Sequence, residues 1–110
     1  MEDEGGIRWG LADIPVAHLS GEFDLANSAH TFTAIGEHVH GYPVVIDLTD
    51  VTFIDSYFID AMVRFTGDHP VRVVATRHSL PYRVLKTTGM GDLVAIYETI
   101  AQAVDDDRSR

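Results

Sequence analysis

The sequence contains no cysteine, few basic residues and no long hydrophobic run. The absence of cysteine excludes disulfide bonds, thiolate catalysis and cysteine-bound zinc. No apolar stretch approaches the roughly 18 residues that a helix needs to cross a bilayer, so we expect no membrane contact. Residues 2–4 are all acidic, so the start of the sequence lacks the positive charge of a secretory or organellar leader. The expected location is therefore cytoplasmic.

Acidic residues outnumber basic ones by about two to one. Seventeen Asp and Glu against eight Lys and Arg give a net charge of −9. Because contacts to a phosphate backbone depend on Lys and Arg, this balance argues against direct nucleic-acid binding. Residues 1–60 carry eleven acids and one base, a sum of −10, whereas residues 61–110 carry six acids and seven bases, a sum of +1. The acidic half is suited to a basic partner surface or to solubility alone.

The rest of the composition is that of one folded domain. Hydrophobic residues make up 45% and charged residues 23%, with a mean hydropathy of +0.03. A chain of 110 residues can bury one core but is too short for two domains. We expect a single domain over residues 1–110, with a core at about 7–104 and flexible tails at 1–6 and 105–110.

Short runs rich in valine and isoleucine alternate with segments of helical period, which is typical of a sheet with crossover helices. Residues 7–10 and 16–20 are predicted as an antiparallel hairpin because a short connection joins them. Residues 44–48 are apolar enough for a central strand buried on both faces. We predict an α/β fold with a mixed, mostly parallel sheet of four or five strands and about four helices. The last two strands are predicted at residues 71–75 and 93–97.

Capping residues predict where the helices begin and end. Asp24 is the predicted N-cap of a first helix that runs to Val39. Ser56 is the predicted capping residue of a second helix over about residues 57–66. The apolar positions of the first helix are Leu25, Ala29, Phe32, Gly36 and Val39, and the other helix boundaries are predicted at Ser79, Gly89 and the capping box of Thr99 and Gln102.

A helical wheel divides the second helix into two faces. Asp60 and Arg64 are four residues apart, which suits an exposed ion pair. The residues predicted to face the sheet are Phe58, Ile59, Met62 and Val63, and those predicted to point away are Tyr57, Asp60, Ala61 and Arg64.

Ser56 is the candidate modification site. A phosphate on a hydroxyl at a helix start gains backbone N–H partners and the positive end of the helix dipole. The other interpretation is that Ser56 only caps the helix, and local chemistry leaves both open. Asp24, Asp50 and Asp55 are predicted near Ser56, because the carboxyl ends of parallel strands meet at one edge.

Three segments resemble the successive blocks of a STAS domain, and more narrowly those of the bacterial anti-sigma factor antagonists. They are SGEFD at residues 20–24, VIDLTDVTFIDS at 45–56 and VLKTTGM at 84–90. The blocks stand in the family's order and spacing, and the resemblance covers about residues 14–104.

The resemblance implies partner switching. In that family the unmodified antagonist binds an anti-sigma factor, which is also a serine kinase, and so frees a sigma factor. The kinase phosphorylates the serine that corresponds to Ser56, and a serine phosphatase reverses the reaction. We therefore expect a binding module without catalytic residues, metal or cofactor. The expected partner-binding residues are Glu22, Asp24, Asp55, Ser56, Tyr57, Asp60, Ala61 and Arg64.

The block around Ser56 departs from the family, which usually has a small residue and a glycine after the serine, where this chain has Tyr57 and Phe58. Tyr57 either narrows kinase access or anchors a partner, and Phe58 is expected in the core. The departure favours an alternative, a STAS module that docks without phosphorylation in a stress-signalling or lipid-transport complex. A homodimer is compatible with the aromatic residues.

A more distant alternative is a receiver-like domain that accepts phosphate on a carboxylate with the help of magnesium. Its candidate residues are Asp47, Asp50 and Asp55. The sequence lacks the adjacent pair of acids that such a domain carries after its first parallel strand.

Overall fold

A five-stranded mixed sheet forms the centre of the protein. The computed structural model describes residues 5–10 and 12–106. The strands are β1 Gly6–Gly10, β2 Val16–Phe23, β3 Val44–Ile54, β4 Val71–Val74 and β5 Ala95–Tyr97. They lie side by side in chain order, with β1 and β2 antiparallel and all other neighbours parallel. The predicted hairpin and the mixed, mostly parallel sheet are therefore confirmed.

Four α-helices connect or follow these strands within the described residues. They are α1 Ser28–Val39, α2 Ser56–Thr66, α3 Leu80–Thr87 and α4 Ile100–Asp105. A short 3-10 helix at Met90–Asp92, which was not predicted, leads into β5. The predicted caps of the later helices are confirmed: Ser79 accepts a hydrogen bond from the backbone of Tyr82, Gly89 has a left-handed φ of 81°, and Thr99 forms the capping box.

The helices cover the two faces of the sheet unequally. Alternate residues of the strands, such as Leu19 and Ile46, pack in one core cluster with α1, α2 and α3. The intervening residues, such as Val16 and Val45, pack against Ala103 of the six-residue α4. This arrangement explains why the first half of β3 is apolar on both faces, as the sequence indicated.

The first helix begins at Ser28, three residues later than predicted, and its N-cap is Asn27 and not Asp24. The Asp24 carboxylate instead accepts a hydrogen bond from the backbone N–H of Ala26 at 2.9 Å. The Asn27 side chain accepts from the backbone of Asp24 at 2.9 Å and donates to the carbonyl of Glu22 at 2.8 Å. These bonds offer the backbone an alternative to helical pairing. Leu25, predicted inside the helix, lies in this turn and is 68% exposed.

The third strand is six residues longer than predicted, because residues 49–54, which were expected to connect strand and helix, continue as strand. They pair with the end of β2 through two register shifts, and the ladder closes with Phe23 opposite Ile54. β4 pairs only with Val44–Asp47 of β3, and β1 reaches only to Ser20 of β2. Beyond these points β2 and β3 form a two-stranded projection.

The elements reach one residue beyond the expected core of 7–104 at each end. β1 begins at Gly6 and α4 ends at Asp105. The other residues of the predicted tails, 1–4 and 107–110, lie outside the described residues.

Candidate functional site

The ends of β2 and β3 bring two of the sequence blocks together. Phe23 and Ile54 are partners in the parallel ladder, so Asp24 and Asp55 leave the sheet at the same edge. The backbone of α2 begins directly after Asp55. The predicted grouping of these residues at one carboxyl edge of the sheet is therefore present, at the tip of the two-stranded projection.

The N-cap of α2 is Asp55 and not Ser56. One carboxylate oxygen of Asp55 accepts hydrogen bonds from the backbone N–H of Tyr57 at 2.9 Å and of Phe58 at 3.2 Å. The prediction that Ser56 caps the helix is wrong by one residue, because the strand runs on to Ile54 and leaves Asp55 in the extended conformation that an N-cap requires.

Ser56 is the first residue of the helix, and its side chain is exposed. Its hydroxyl makes no hydrogen bond to any other residue that the structure describes. The hydroxyl is therefore accessible and is not required for the cap. A phosphate on Ser56 would meet N–H groups that already bond to the Asp55 carboxylate, whose like charge opposes it. The helix start offers a phosphate fewer free donors than the sequence suggested.

Exposed apolar side chains flank Ser56 on both sides along the chain. Tyr57 is 51% exposed and Phe53 is 39% exposed. Phe53 pairs with the exposed Glu22 on the sheet face away from α1 to α3, since their neighbours Phe23 and Ile54 point into the core. Phe53 was not predicted as a site residue, because residues 49–54 were expected to form a connection rather than a strand.

Phe58 lies in the core, as expected. It is fully buried, and its ring lies 5.5 Å from that of Phe23 and 5.2 Å from that of Phe32, measured between centroids. Where the family usually has glycine, this chain thus has a side chain that ties the start of α2 to β2 and α1. Ser56 is held on a firmly packed helix end.

The buried face of α2 is turned toward α1. Ala61, predicted to point away from the core and to bind a partner, is only 8% exposed, which corrects that prediction. Val63, predicted to face the sheet, is 41% exposed. The cause is that α2 packs against α1 as well as the sheet, with Phe65 and Phe32 at a ring-centroid distance of 5.3 Å. The outward face of α2 therefore presents Tyr57, Asp60, Val63 and Arg64.

The charged side chains around the site differ in their exposure and in their hydrogen bonds. Asp60 and Arg64 form the predicted ion pair on the exposed face of α2. Glu22 is exposed, whereas Asp24 and Asp55 are half-buried and accept hydrogen bonds from backbone N–H groups. Asp50, which was predicted near Ser56, pairs with Ser20 in the middle of β3, five residues or about 16 Å of strand before Asp55, so that part of the prediction is wrong. The surface around Ser56 is thus acidic as well as apolar.

The three aspartates of the receiver-like alternative have separate structural roles. Asp47 is buried and bonds to the His18 ring at 2.6 Å and to the backbone N–H of Thr49 at 3.0 Å. Asp55 caps α2, and Asp50 pairs with Ser20 in the ladder. Within residues 5–10 and 12–106, no group of three or more His, Asp or Glu side chains could hold a metal ion. In the same part of the chain no helix is long and apolar enough to cross a membrane.

Comparisons with known proteins agree with this architecture. The family model described as "STAS domain" matches residues 10–103. The crystal structure of an anti-sigma factor antagonist from Mycobacterium paratuberculosis superposes with a TM-score of 0.81 at 25% identity, covering 94% of this chain and 97% of that one. The NMR structure of the protein TM1081 has a TM-score of 0.71 at 19% identity, covering 93% and 88%, and so shares the fold. No curated protein matches the chain significantly.

Proposed function

This chain belongs to the STAS domain family, and from that premise we propose that it acts as an anti-sigma factor antagonist. In this role it binds an anti-sigma factor and so releases a sigma factor, in the cytoplasm and without catalysis of its own. The likeness to an anti-sigma factor antagonist over nearly the whole of both chains supports the proposal.

The observation that carries the proposal is the exposed hydroxyl of Ser56 at the first position of α2. It directly follows the aspartate of the family block, as the phosphorylated serine of the antagonists does. Tyr57 and Phe53 provide apolar area beside it, and Asp60 provides charge. Apolar anchors within a polar surround are the usual composition of a protein interface.

Phosphorylation of Ser56 is the proposed off switch. The serine Oγ attacks the γ-phosphorus of ATP bound to the kinase, an Oγ–P bond forms, ADP leaves, and the hydroxyl proton passes to a base of the kinase. The product carries about −1.5 to −2 additional charges. These charges lie beside the Asp55 carboxylate, so a partner surface suited to the neutral hydroxyl meets repulsion and loses packing. A serine phosphatase restores binding by hydrolysing the same bond.

The test uses the cognate anti-sigma factor with ATP. Intact-mass measurement should find one added phosphate on the native chain and none on Ser56→Ala. Calorimetry should find that Ser56→Ala binds like the native protein, whereas Ser56→Asp binds at least about tenfold more weakly. Absence of phosphate on the native chain would contradict the switch, and absence of binding by the unmodified chain would contradict the antagonist role.

A second candidate function is docking without phosphorylation, in a stress-signalling or lipid-transport complex. It is favoured by the cap of α2, since Asp55 already holds the N–H groups of Tyr57 and Phe58 that would stabilise a phosphate. The Tyr57 ring is exposed on the residue next to Ser56, where its bulk would narrow the approach of a kinase. Equal partner binding by Ser56→Ala and Ser56→Asp would favour this function over the switch.

A further inference from the structure

A groove of about 520 Å³ lies between α1 and α2, beside the surface proposed for the anti-sigma factor. Phe32 and Phe65, both nearly buried, form its bottom together with Ala61. Phe65 at its bottom follows Ser56 by nine residues, roughly 13 Å along the helix axis at about 1.5 Å per residue. The groove is therefore distant from the Ser56 hydroxyl, although it shares Arg64 with the outward face of α2.

The shape of the groove matches a helix. Its α1 wall runs from Ala29 to Glu37, roughly 12 Å along the helix axis, and its α2 wall runs from Ala61 to Phe65. A groove between two packed helices accepts the side-chain ridge of a third helix, which then lies at about 8–10 Å from each axis. About two turns of an amphipathic helix would fill this length.

The charged residues around the groove indicate which kind of helix would bind there. Glu37 lines the groove, is exposed, and takes part in none of the ion pairs formed within the described residues. Arg64 lines the opposite wall, but its charge is balanced by Asp60. With Asp60 counted beside the groove, the rim therefore carries one carboxylate without a paired cation, that of Glu37. A second copy of the chain, with its net charge of −9, would bring like charges together, whereas a basic helix would be attracted.

We propose that this groove is a docking site for an amphipathic helix of a partner protein whose apolar face is flanked by lysine or arginine. The inference goes beyond the proposed function, because it assigns a second binding site that does not involve Ser56. The apolar face packs on Phe32 and Phe65, and a basic side chain reaches the Glu37 carboxylate.

Gly36 provides a structural probe of this site. A Cβ at Gly36 would lie 3.5 Å from ring atoms of both His69 and Phe65, which is ordinary van der Waals contact. Gly36→Leu therefore places a side chain in the groove without a backbone clash, and it also raises helix propensity. Ala34→Leu is the matched control, because Ala34 is exposed on the same helix and does not line the groove.

The experiment is an NMR titration of the isotope-labelled full chain with two synthetic peptides of about 14 residues. Both peptides carry the same leucine face, and their polar faces consist of lysine in one and glutamate in the other. The lysine peptide should shift the amide signals of Thr33, Gly36 and Phe65, more weakly as salt is added, and the glutamate peptide should not. Gly36→Leu should weaken binding of the lysine peptide at least about tenfold, and Ala34→Leu should leave it unchanged.

Glu37→Gln should weaken the lysine peptide about threefold or more, and Asp92→Asn, an exposed acid outside the groove, should not. Four outcomes overturn the proposal: no shift at the groove, equal shifts with both peptides, shifts confined to the residues around Ser56, or concentration-dependent shifts at the groove without peptide, which would identify a second copy as the occupant. The titration contains no anti-sigma factor and uses no change at Ser56. A negative result would therefore contradict the groove proposal without contradicting the proposed function, and a failure of the anti-sigma factor experiments would not contradict the groove proposal.

Discussion

The imidazole of His18 hydrogen-bonds the carboxylate of Asp47 across β2 and β3, with Nδ1 2.6 Å from Oδ2. Both side chains are largely buried, at 16% and 5% exposure. Each lies two residues beyond a valine that packs against α4, so the pair belongs to that face of the sheet. The hydrogen bond between His18 and Asp47 links β2 and β3, whose carboxyl ends carry the Ser56 site.

Removing the imidazole should destabilise the fold. In His18→Ala one oxygen of the buried Asp47 carboxylate loses its partner, while the other keeps the N–H of Thr49. We expect the free energy of unfolding to fall by about 1–3 kcal/mol. Urea denaturation measures the change, and His30→Ala, at an exposed histidine, is the control. Equal stability of the two variants would show that the buried pair adds nothing.

Gly10 should tolerate a side chain only when His18 is absent. A Cβ at Gly10 would lie 2.6 Å from Nε2 of His18, and the bond to Asp47 prevents the ring from moving away freely. Gly10→Ala should therefore cost about 1–3 kcal/mol in the native background. In the His18→Ala background the cost should vanish, which a double-mutant cycle of unfolding free energies tests. Additive effects would contradict this packing relationship.

The cap of α2 should depend on Asp55 and not on Ser56. Asp55→Ala removes the acceptor of two backbone N–H groups and should lower the free energy of unfolding by about 0.5–2 kcal/mol. Asp55→Asn should keep most of this stability, since asparagine caps nearly as well. Thermal unfolding of Ser56→Ala should match the native protein, and a larger loss for Ser56→Ala than for Asp55→Ala would reverse the assignment.

Phe58 should matter for stability. It is fully buried between the rings of Phe23 and Phe32, so Phe58→Ala leaves a cavity that costs about 3–5 kcal/mol. Denaturant unfolding measures this loss, and Phe58→Leu, which retains much of the volume, should recover a large part of it. If Phe58→Ala lowered the free energy of unfolding by less than a surface substitution does, the core would have closed around the cavity.

Tyr57 should matter for binding instead. Its ring is 51% exposed beside Ser56, so Tyr57→Ala should change stability by no more than about 0.5 kcal/mol. Affinity for the anti-sigma factor should fall at least about tenfold, measured by calorimetry. Tyr42→Ala is the control, because Tyr42 is 70% exposed and lies in the turn between α1 and β3. Equal affinities for both variants would remove Tyr57 from the interface.

Local signals in the sequence predicted much of the fold. Ser79, Gly89 and the pair Thr99 and Gln102 act on backbone groups within four residues, so their roles could be inferred without knowing the rest of the structure. The hairpin followed from a short connection, and the alternation of strands and helices predicted the parallel part of the sheet.

Features that depend on distant partners could not be inferred in this way. Residues 49–54 form a strand because β2 continues beside them, and the two register shifts break the alternation that would have revealed it. Ala61 is buried because α2 contacts α1, which a helical wheel of α2 alone does not contain. The N-cap of α2 is Asp55 rather than Ser56 because β3 continues to Ile54, so that no connection separates the strand from the capping residue.

The projection formed by the ends of β2 and β3 has a mechanical consequence. Central strands gain rigidity from a ladder on each side, but residues 51–54 are paired on one side only, to β2. Their amides should exchange with deuterium sooner than those of residues 44–47, which have neighbours on both sides. The backbone hydrogen bonds at the strand ends can therefore open while the buried side chains beneath them, such as Val51 and Ile54, and the centre of the sheet stay packed.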